Sequence, residues 1–296
     1  MINEEIISIK NVSKRYKTSH VLKDLSFSVS KGSVVGLLGK NGCGKTTLIK
    51  CALGLLRPNT GNITVFGEDV WDLSAQAKGR LGYVPQTSSF YPWLKVHEII
   101  DYTASFYPTW NKLLVNRLIS DWDLESILNQ GATVISQGLA QRLSIILALG
   151  HEPDLLVLDE PVASLDPGAR RTFLKTILDI VADRGCTVLF STHITSDLER
   201  VANRVAMLDQ GKIKLDMELD ELKDKVKRLK ISFSTQAPQT FDVPGILRSK
   251  QTGDQEVILY VKDFSSDVKN LIENKYNGQV EVGDLNLEEI FVELMR

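Results

Sequence analysis

The sequence predicts an α/β protein built around a sheet covered on both faces, followed by a small α+β appendage. Three observations carry that expectation. Apolar runs without alternation at residues 34–38 (VVGLL), 155–158 (LLVL) and 187–190 (TVLF) read as strands buried on both sides. Between the last two runs lies a helical stripe of Phe173, Leu174, Ile177, Leu178 and Val181, the connection that parallel neighbours require. Past Asp216 the chain turns charge-dense and then breaks into short strand and helix patterns.

Taken in order, alternating segments at 6–9 and 25–29 predict two strands joined across a polar turn. The strand at 34–38 runs into a glycine-rich loop and a helix over 48–53. The turn RPNTG at 57–61 introduces a strand at 63–66, and a further strand at 81–84 ends at Pro85-Gln86. From 87 to 135 the period becomes helical, through Val96, Ile99 and Ile100 and then Leu114, Leu118 and Ile119. This stretch holds Phe90, Tyr91, Trp93, Tyr102, Phe106, Tyr107 and Trp110, a third of the chain's aromatics. Such rings fill a small core or face a partner, and both uses are expected here. In the tail, 218–230 predicts a charged helix, then come a strand at 229–233, a loop, a strand at 256–262, a helix at 266–273, a strand at 279–282 and a helix at 287–295.

Composition sets limits on function. A chain of 296 residues with 43% hydrophobic and 24% charged content holds one large domain and a small one. A formal net charge of −2 gives no support for a nucleic-acid partner. Cys43, Cys51 and Cys186 are too few for a disulfide framework and lack metal-ligand spacing, so reduced thiols are expected. The opening MINEEIISIK shows no signal-peptide pattern, and no apolar run reaches the roughly 18 residues that cross a bilayer.

The chemistry concentrates in GKNGCGKTT at 39–47, a complete phosphate-binding loop of the form GxxxxGK[ST]. Gly39, Gly42 and Gly44, with Asn41 and Thr47 in the same loop, let backbone N–H groups turn onto phosphate oxygens at the positive end of a helix dipole. Lys45 adds a full charge at the β- and γ-phosphates, and the Thr46 hydroxyl is a ligand for Mg²⁺. The strand at 155–158 ends in Asp159-Glu160, a Walker B pattern, with Asp159 placed for Mg²⁺ and Glu160 for polarising a water. Gln86 closes an earlier strand, where its amide reaches the same metal and water. Ser164-Leu165-Asp166 follows Walker B, His193 ends the next strand, and Ser136-Gln137-Gly138 opens a helix before it. Each of Gln86, His193 and Tyr16 alone reads as a surface or capping residue. Their order around a sound phosphate loop gives them weight.

In that order the motifs resemble those of the ATP-binding cassette (ABC) ATPases, over roughly residues 4–216. The resemblance implies a RecA-like P-loop NTPase core with an antiparallel β subdomain and a helical subdomain at about 87–150. It sets an ATPase domain at 1–216 and an accessory domain at 217–296. It makes Tyr16 the aromatic that stacks on adenine, Gln86 the Q-loop glutamine, Asp166 the D-loop aspartate and His193 the switch histidine. Ser136 and Gly138 correspond to the signature motif, which would meet the γ-phosphate held by a second ATPase subunit. The usual LSGGQ is Ile135-Ser136-Gln137-Gly138-Leu139 here, so a glycine that grants backbone freedom is replaced by Gln137. Two readings stand, tolerated variation or a weakened half-site in an asymmetric pair, and intact Glu160 and His193 favour the first. The resemblance further implies ATP and Mg²⁺ as ligands, a membrane (permease) subunit as partner and a cytoplasmic position on the inner face of the membrane. The compact cassette and short tail are most similar to the ABC-2 exporter branch. An importer ATPase and a soluble ABC ATPase are the alternatives.

Overall fold

Two long strands, β1 (Glu5–Tyr16) and β2 (Ser19–Ser30), pair antiparallel at the start of the computed structural model, which describes residues 4–295. Met1–Asn3, part of the segment read for a signal peptide, and Arg296 lie outside the described residues. There follow β3 (Val34–Leu38), α1 (Lys45–Ala52), β4 (Thr60–Val65), β5 (Glu68–Asp69), α2 (Ala75–Gly79) and β6 (Leu81–Val84). A helical stretch carries α3 (Val96–Ala104), α4 (Lys112–Asp121) and α5 (Gln137–Leu149). The chain then returns to alternation with β7 (Leu155–Asp159), α6 (Pro167–Arg184), β8 (Thr187–Thr192), α7 (Thr195–Val201), β9 (Arg204–Asp209) and β10 (Lys212–Glu218). It divides after Asp216 into two compact units.

In the first unit β2, β1, β4 and β5 form one sheet, and a second has the order β10-β9-β3-β8-β7-β6. From β9 to β6 every pairing in that second sheet is parallel. β3, β7 and β8 are buried at every position, which explains why their sequences do not alternate. α1 presents Leu48 and Ile49 to a core shared by both sheets, with Ile7, Ile9 and Phe27 from one and Leu37, Val157 and Leu189 from the other. Parallel pairing has a functional consequence. The C-terminal ends of β3, β8, β7 and β6 lie along one edge, the edge at which open α/β sheets bind ligands.

The connecting helix α6 departs from the expected stripe. Its buried positions are Ala169, Phe173, Leu174, Thr176, Ile177 and Ile180, whereas Leu178 is 45% exposed. Ile180 continues the face through 173 and 177 by helical steps of four and three, and Leu178 lies about 100° round from Ile177. Asp166 caps α6 by accepting from the backbone N–H of Gly168 and Ala169, Pro167 fits its first turn, and Gly185 ends it at φ +65°. Helix α7 and strands β9 and β10 have no counterpart among the expected elements.

The second unit holds α8 (Leu219–Lys225), β11 (Lys227–Ser232), β12 (Ile246–Gln251), β13 (Glu256–Val261), α9 (Ser266–Tyr276), β14 (Gln279–Gly283) and α10 (Leu287–Leu294). The expected charged helix over 218–230 is therefore shorter. From Lys227 the backbone is extended, because β11 lies between β13 and β14 and alternates, sending Leu229 and Ile231 inward. β12 falls where a loop is expected and is held by antiparallel pairing to β13. Val257, Leu259 and Val261 join Leu229, Ile231, Val268 and Ile272 in a core of this unit's own.

Candidate nucleotide site

Four strand ends supply most of the site. β3 leads into the loop 39–47, where Gly42 and Gly44 take φ values of +80° and +117° that favour glycine. A Cβ at Gly39 would come within 2.5 Å of the Leu208 carbonyl, and one at Gly44 within 3.2 Å of the Val21 carbonyl. The loop is thus wrapped tightly by β9 and β2. α1 begins at Lys45, so its first N–H groups open into the cleft beside the loop. The cleft has a volume of about 520 Å³ and is lined by Asn41, Gly42, Gly44, Lys45, Thr46, Thr47, Gln86, Glu160 and His193, with Val21 and Ala163.

At its floor the charged groups interlock. Lys45 is buried; its Nζ donates to the Gly39 carbonyl at 2.7 Å and lies 3.2 Å from Glu160 Oε1. The other carboxylate oxygen of Glu160 is 2.9 Å from His193 Nδ1. Glu160 has φ +50°, an uncommon conformation for a non-glycine residue. It is held there by its N–H, which donates to the Ser191 carbonyl and to Ser191 Oγ, each at 3.1 Å. Ser191 Oγ in turn donates to Asp159 Oδ1 at 2.7 Å, and Thr46 Oγ1 donates to the same oxygen at 3.1 Å.

Asp159 is fully buried, and its second oxygen, Oδ2, has no hydrogen-bond partner. An unpaired buried carboxylate oxygen next to a threonine hydroxyl is a donor set that suits Mg²⁺. Among the described residues no group of three or more His, Cys, Asp or Glu forms a cage that would hold a metal unaided. Within the loop, burial pushes the Cys43 thiol above its usual range against the pull of Lys45, and burial raises Cys51 to about 11 and Cys186 to about 12. None of the three is a ready thiolate.

Other expected residues lie elsewhere. Tyr16 ends β1 outside the cleft lining, 46% exposed, with the Lys14 ammonium 5.2 Å from its ring centre. Ser136 is exposed and caps α5, its Oγ accepting from Leu139 N–H at 3.3 Å. Gln137 opens the helix without left-handed backbone, so the loss of a glycine there imposes no conformational strain. A Cβ at Gly138 would sit 3.1 Å from the Ser164 carbonyl, which gives this glycine a packing role of its own. Val21 and Ala163 are cleft residues that sequence reasoning missed. Val21 reads as an ordinary residue of β2, and only the approach of β2 to Gly44 brings it to the site.

A groove of about 620 Å³ runs beside β6 and α5, lined by Leu55, Trp71, Tyr83, Phe90, Tyr107 and His151 among others. Next to Phe90 and Tyr107 in the chain, Tyr91, Trp93, Tyr102 and Phe106 form a ladder of ring contacts with centroids 5.0–5.6 Å apart. Trp93 is 73% and Phe106 66% exposed. No helix among the described residues is long and apolar enough to cross a membrane.

Comparison with known proteins agrees with this geometry. The ABC transporter family profile matches residues 22–163. The ABC transporter ATP-binding protein YtrB of Bacillus subtilis is 29% identical over 97% of both chains. A Nod factor export ATP-binding protein I of Burkholderia orbicola is 37% identical over 70% of this chain and 68% of its own. A solved ATP-binding subunit of an ABC transporter superposes with a TM-score of 0.67 at 31% identity, covering 74% of this chain and 92% of that one. On this likeness, and on the phosphate loop and Walker B residues gathered at one sheet edge, the chain belongs to the ABC transporter family as an ATP-binding cassette ATPase.

Proposed function

We propose that the chain is the ATP-hydrolysing subunit of an exporter, working as one of a pair of cassettes beneath a separate membrane subunit. The observation that carries the proposal is the Lys45–Glu160–His193 chain of contacts at the floor of a glycine-built phosphate cradle. The N–H groups of the loop and the Lys45 ammonium bind and orient the β- and γ-phosphates. Asp159 and Thr46 would hold Mg²⁺, which supplies neutralisation of phosphate charge when bound. Glu160 accepts the proton of the attacking water, and His193, at 2.9 Å, orients the carboxylate. Gln86 lines the same cleft and orients the water. Tyr16 stacks on the adenine.

Ser136 and Gly138 open α5 at the surface, so their hydroxyl and N–H suit a nucleotide held by another subunit. ATP bridging two cassettes would favour the closed pair, and loss of the γ-phosphate would release it. The aromatic groove beside β6 continues from the Gln86 segment and suits an apolar helix of the membrane subunit. In this reading the chain works at the cytoplasmic face of the membrane. The Nod factor relative, named for export, supports the exporter direction.

Glu160→Gln tests the central step. It is expected to leave ATP binding intact, to lower turnover by about a hundredfold or more, and to trap an ATP-bound dimer by size-exclusion chromatography. Parental turnover in that variant would remove Glu160 from the role of general base. A chain that stays monomeric with ATP in that background would remove the paired-cassette scheme.

A further inference from the structure

Beyond the nucleotide cleft, α5 carries a buried polar side chain that the proposed mechanism leaves unused. Gln141 lies just over one turn beyond Ser136 and is 1% exposed, on a helix that also buries Leu143, Ile145 and Ile146. A primary amide in such surroundings must satisfy both its oxygen and its nitrogen or pay a desolvation penalty. Gln141 does so on one segment. Its Nε2 donates to the Pro85 carbonyl at 3.3 Å, and its Oε1 accepts from the Ser88 hydroxyl at 2.9 Å. Ser88 Oγ accepts in turn from Ser144 Oγ, one turn further along α5, at 2.7 Å. The directions are mutually consistent, each hydroxyl donating once and the chain ending on a carbonyl.

Pro85 and Ser88 bracket Gln86 and Thr87, both of which are exposed. One side chain of α5 thus grips both ends of the loop that displays Gln86 into the cleft. The next residue, Arg142, fastens the same helix to a different segment. It pairs with Asp166, the cap of α6, and donates to the Trp122 carbonyl at 3.0 Å.

We propose that Gln141 is a positioning residue for Gln86, tying the loop at 85–88 to the helix whose N-terminus carries Ser136 and Gly138. A displacement of α5 then moves Gln86 with it. The second subunit's approach to Ser136 is thereby read in the site on this subunit's own nucleotide. The proposal rests on the role given above to Gln86, and its test separates the two.

The test is steady-state ATP hydrolysis by the full chain carrying Gln141→Leu, Ser88→Ala, Gln86→Ala, or Gln141→Leu with Gln86→Ala. Gln141→Leu is expected to lower kcat about tenfold while KM for ATP stays within about twofold, since it misplaces a group without removing a phosphate contact. Ser88→Ala is expected to act in the same direction and more weakly; being only half-buried, it carries the test if Gln141→Leu does not fold. The double variant is expected to turn over no more slowly than Gln86→Ala alone, because positioning an absent residue has no further effect. Parental turnover in Gln141→Leu, or a double variant slower by the full product of the two single effects, would overturn the positioning role alone. Parental turnover in Gln86→Ala would overturn the reading of Gln86 and this proposal with it.

Discussion

Two sets of residues expected to meet the same kind of nucleotide are held in different ways. Around the strand ends Lys45, Glu160, His193, Asp159, Ser191 and Thr46 are joined by contacts of 2.7–3.2 Å, and most of them are buried. At the start of α5, Ser136 is exposed and its hydroxyl is engaged within its own helical turn. The first set is prearranged by the chain itself. The second offers a helix N-terminus to something outside. Nucleotide affinity should therefore reside in the first set and respond little to the second, while turnover requires both.

Lys45→Ala probes the first set most severely. It is expected to abolish ATP binding by calorimetry and to cost about 3 kcal/mol of stability, because the buried Glu160 carboxylate loses its ammonium partner and keeps only the His193 contact. Adding Glu160→Gln should restore much of the lost stability in thermal melts without restoring binding. A single variant as stable as the parent would show that this cluster is not self-supporting. Ser136→Ala probes the second set. Loss of the cap is worth about 1 kcal/mol, turnover should fall about tenfold, and ATP affinity of the isolated chain should change less than twofold. Weakened binding in the isolated subunit would erase the distinction between the two sets.

The smallest expected effect lies outside both. His151 stacks on Tyr107 with ring centres 4.0 Å apart, and its Nε2 is 3.2 Å from the Leu81 carbonyl. Burial holds its pKa below the ordinary 6.5, against the opposing influence of that carbonyl. The unfolded chain then takes up a proton before the folded one, so stability falls as pH drops below about 6.5 toward the depressed native value. His151→Phe should flatten the acid limb of melting temperature against pH and leave kcat unchanged at neutral pH. An unaltered acid limb would place the acid sensitivity in other groups.

Much of the first set was legible because its chemistry is local. A glycine loop between strand and helix, and Asp159-Glu160 at a strand end, need only their own neighbours to be read. The unpaired Oδ2 of Asp159 was not legible because its burial depends on the tertiary fold, and the grip of Gln141 on Pro85 and Ser88 was not because it joins residues far apart in sequence. Periodicity found α6 but misjudged its face, because the apolar Leu178 borders the buried Ile177 without sharing its burial. In the tail, β12 carries Arg248, Ser249 and Lys250 and shows no apolar alternation. Its strand character comes from pairing with β13. The seven aromatics of the helical stretch were visible as a cluster, and the structure divides them, with Phe90 and Tyr107 lining the groove and Trp93 and Phe106 at the surface.

The left-handed backbone at Glu160 narrows the alphabet available to that position. Isoleucine, valine or threonine would incur a main-chain penalty in addition to forfeiting the carboxylate, whereas asparagine, aspartate and glycine enter that region more readily. Lineages that silence this cassette by drift should therefore collect those three residues here sooner than any branched one. The torsion acts as a filter on descent as well as a mount for a side chain.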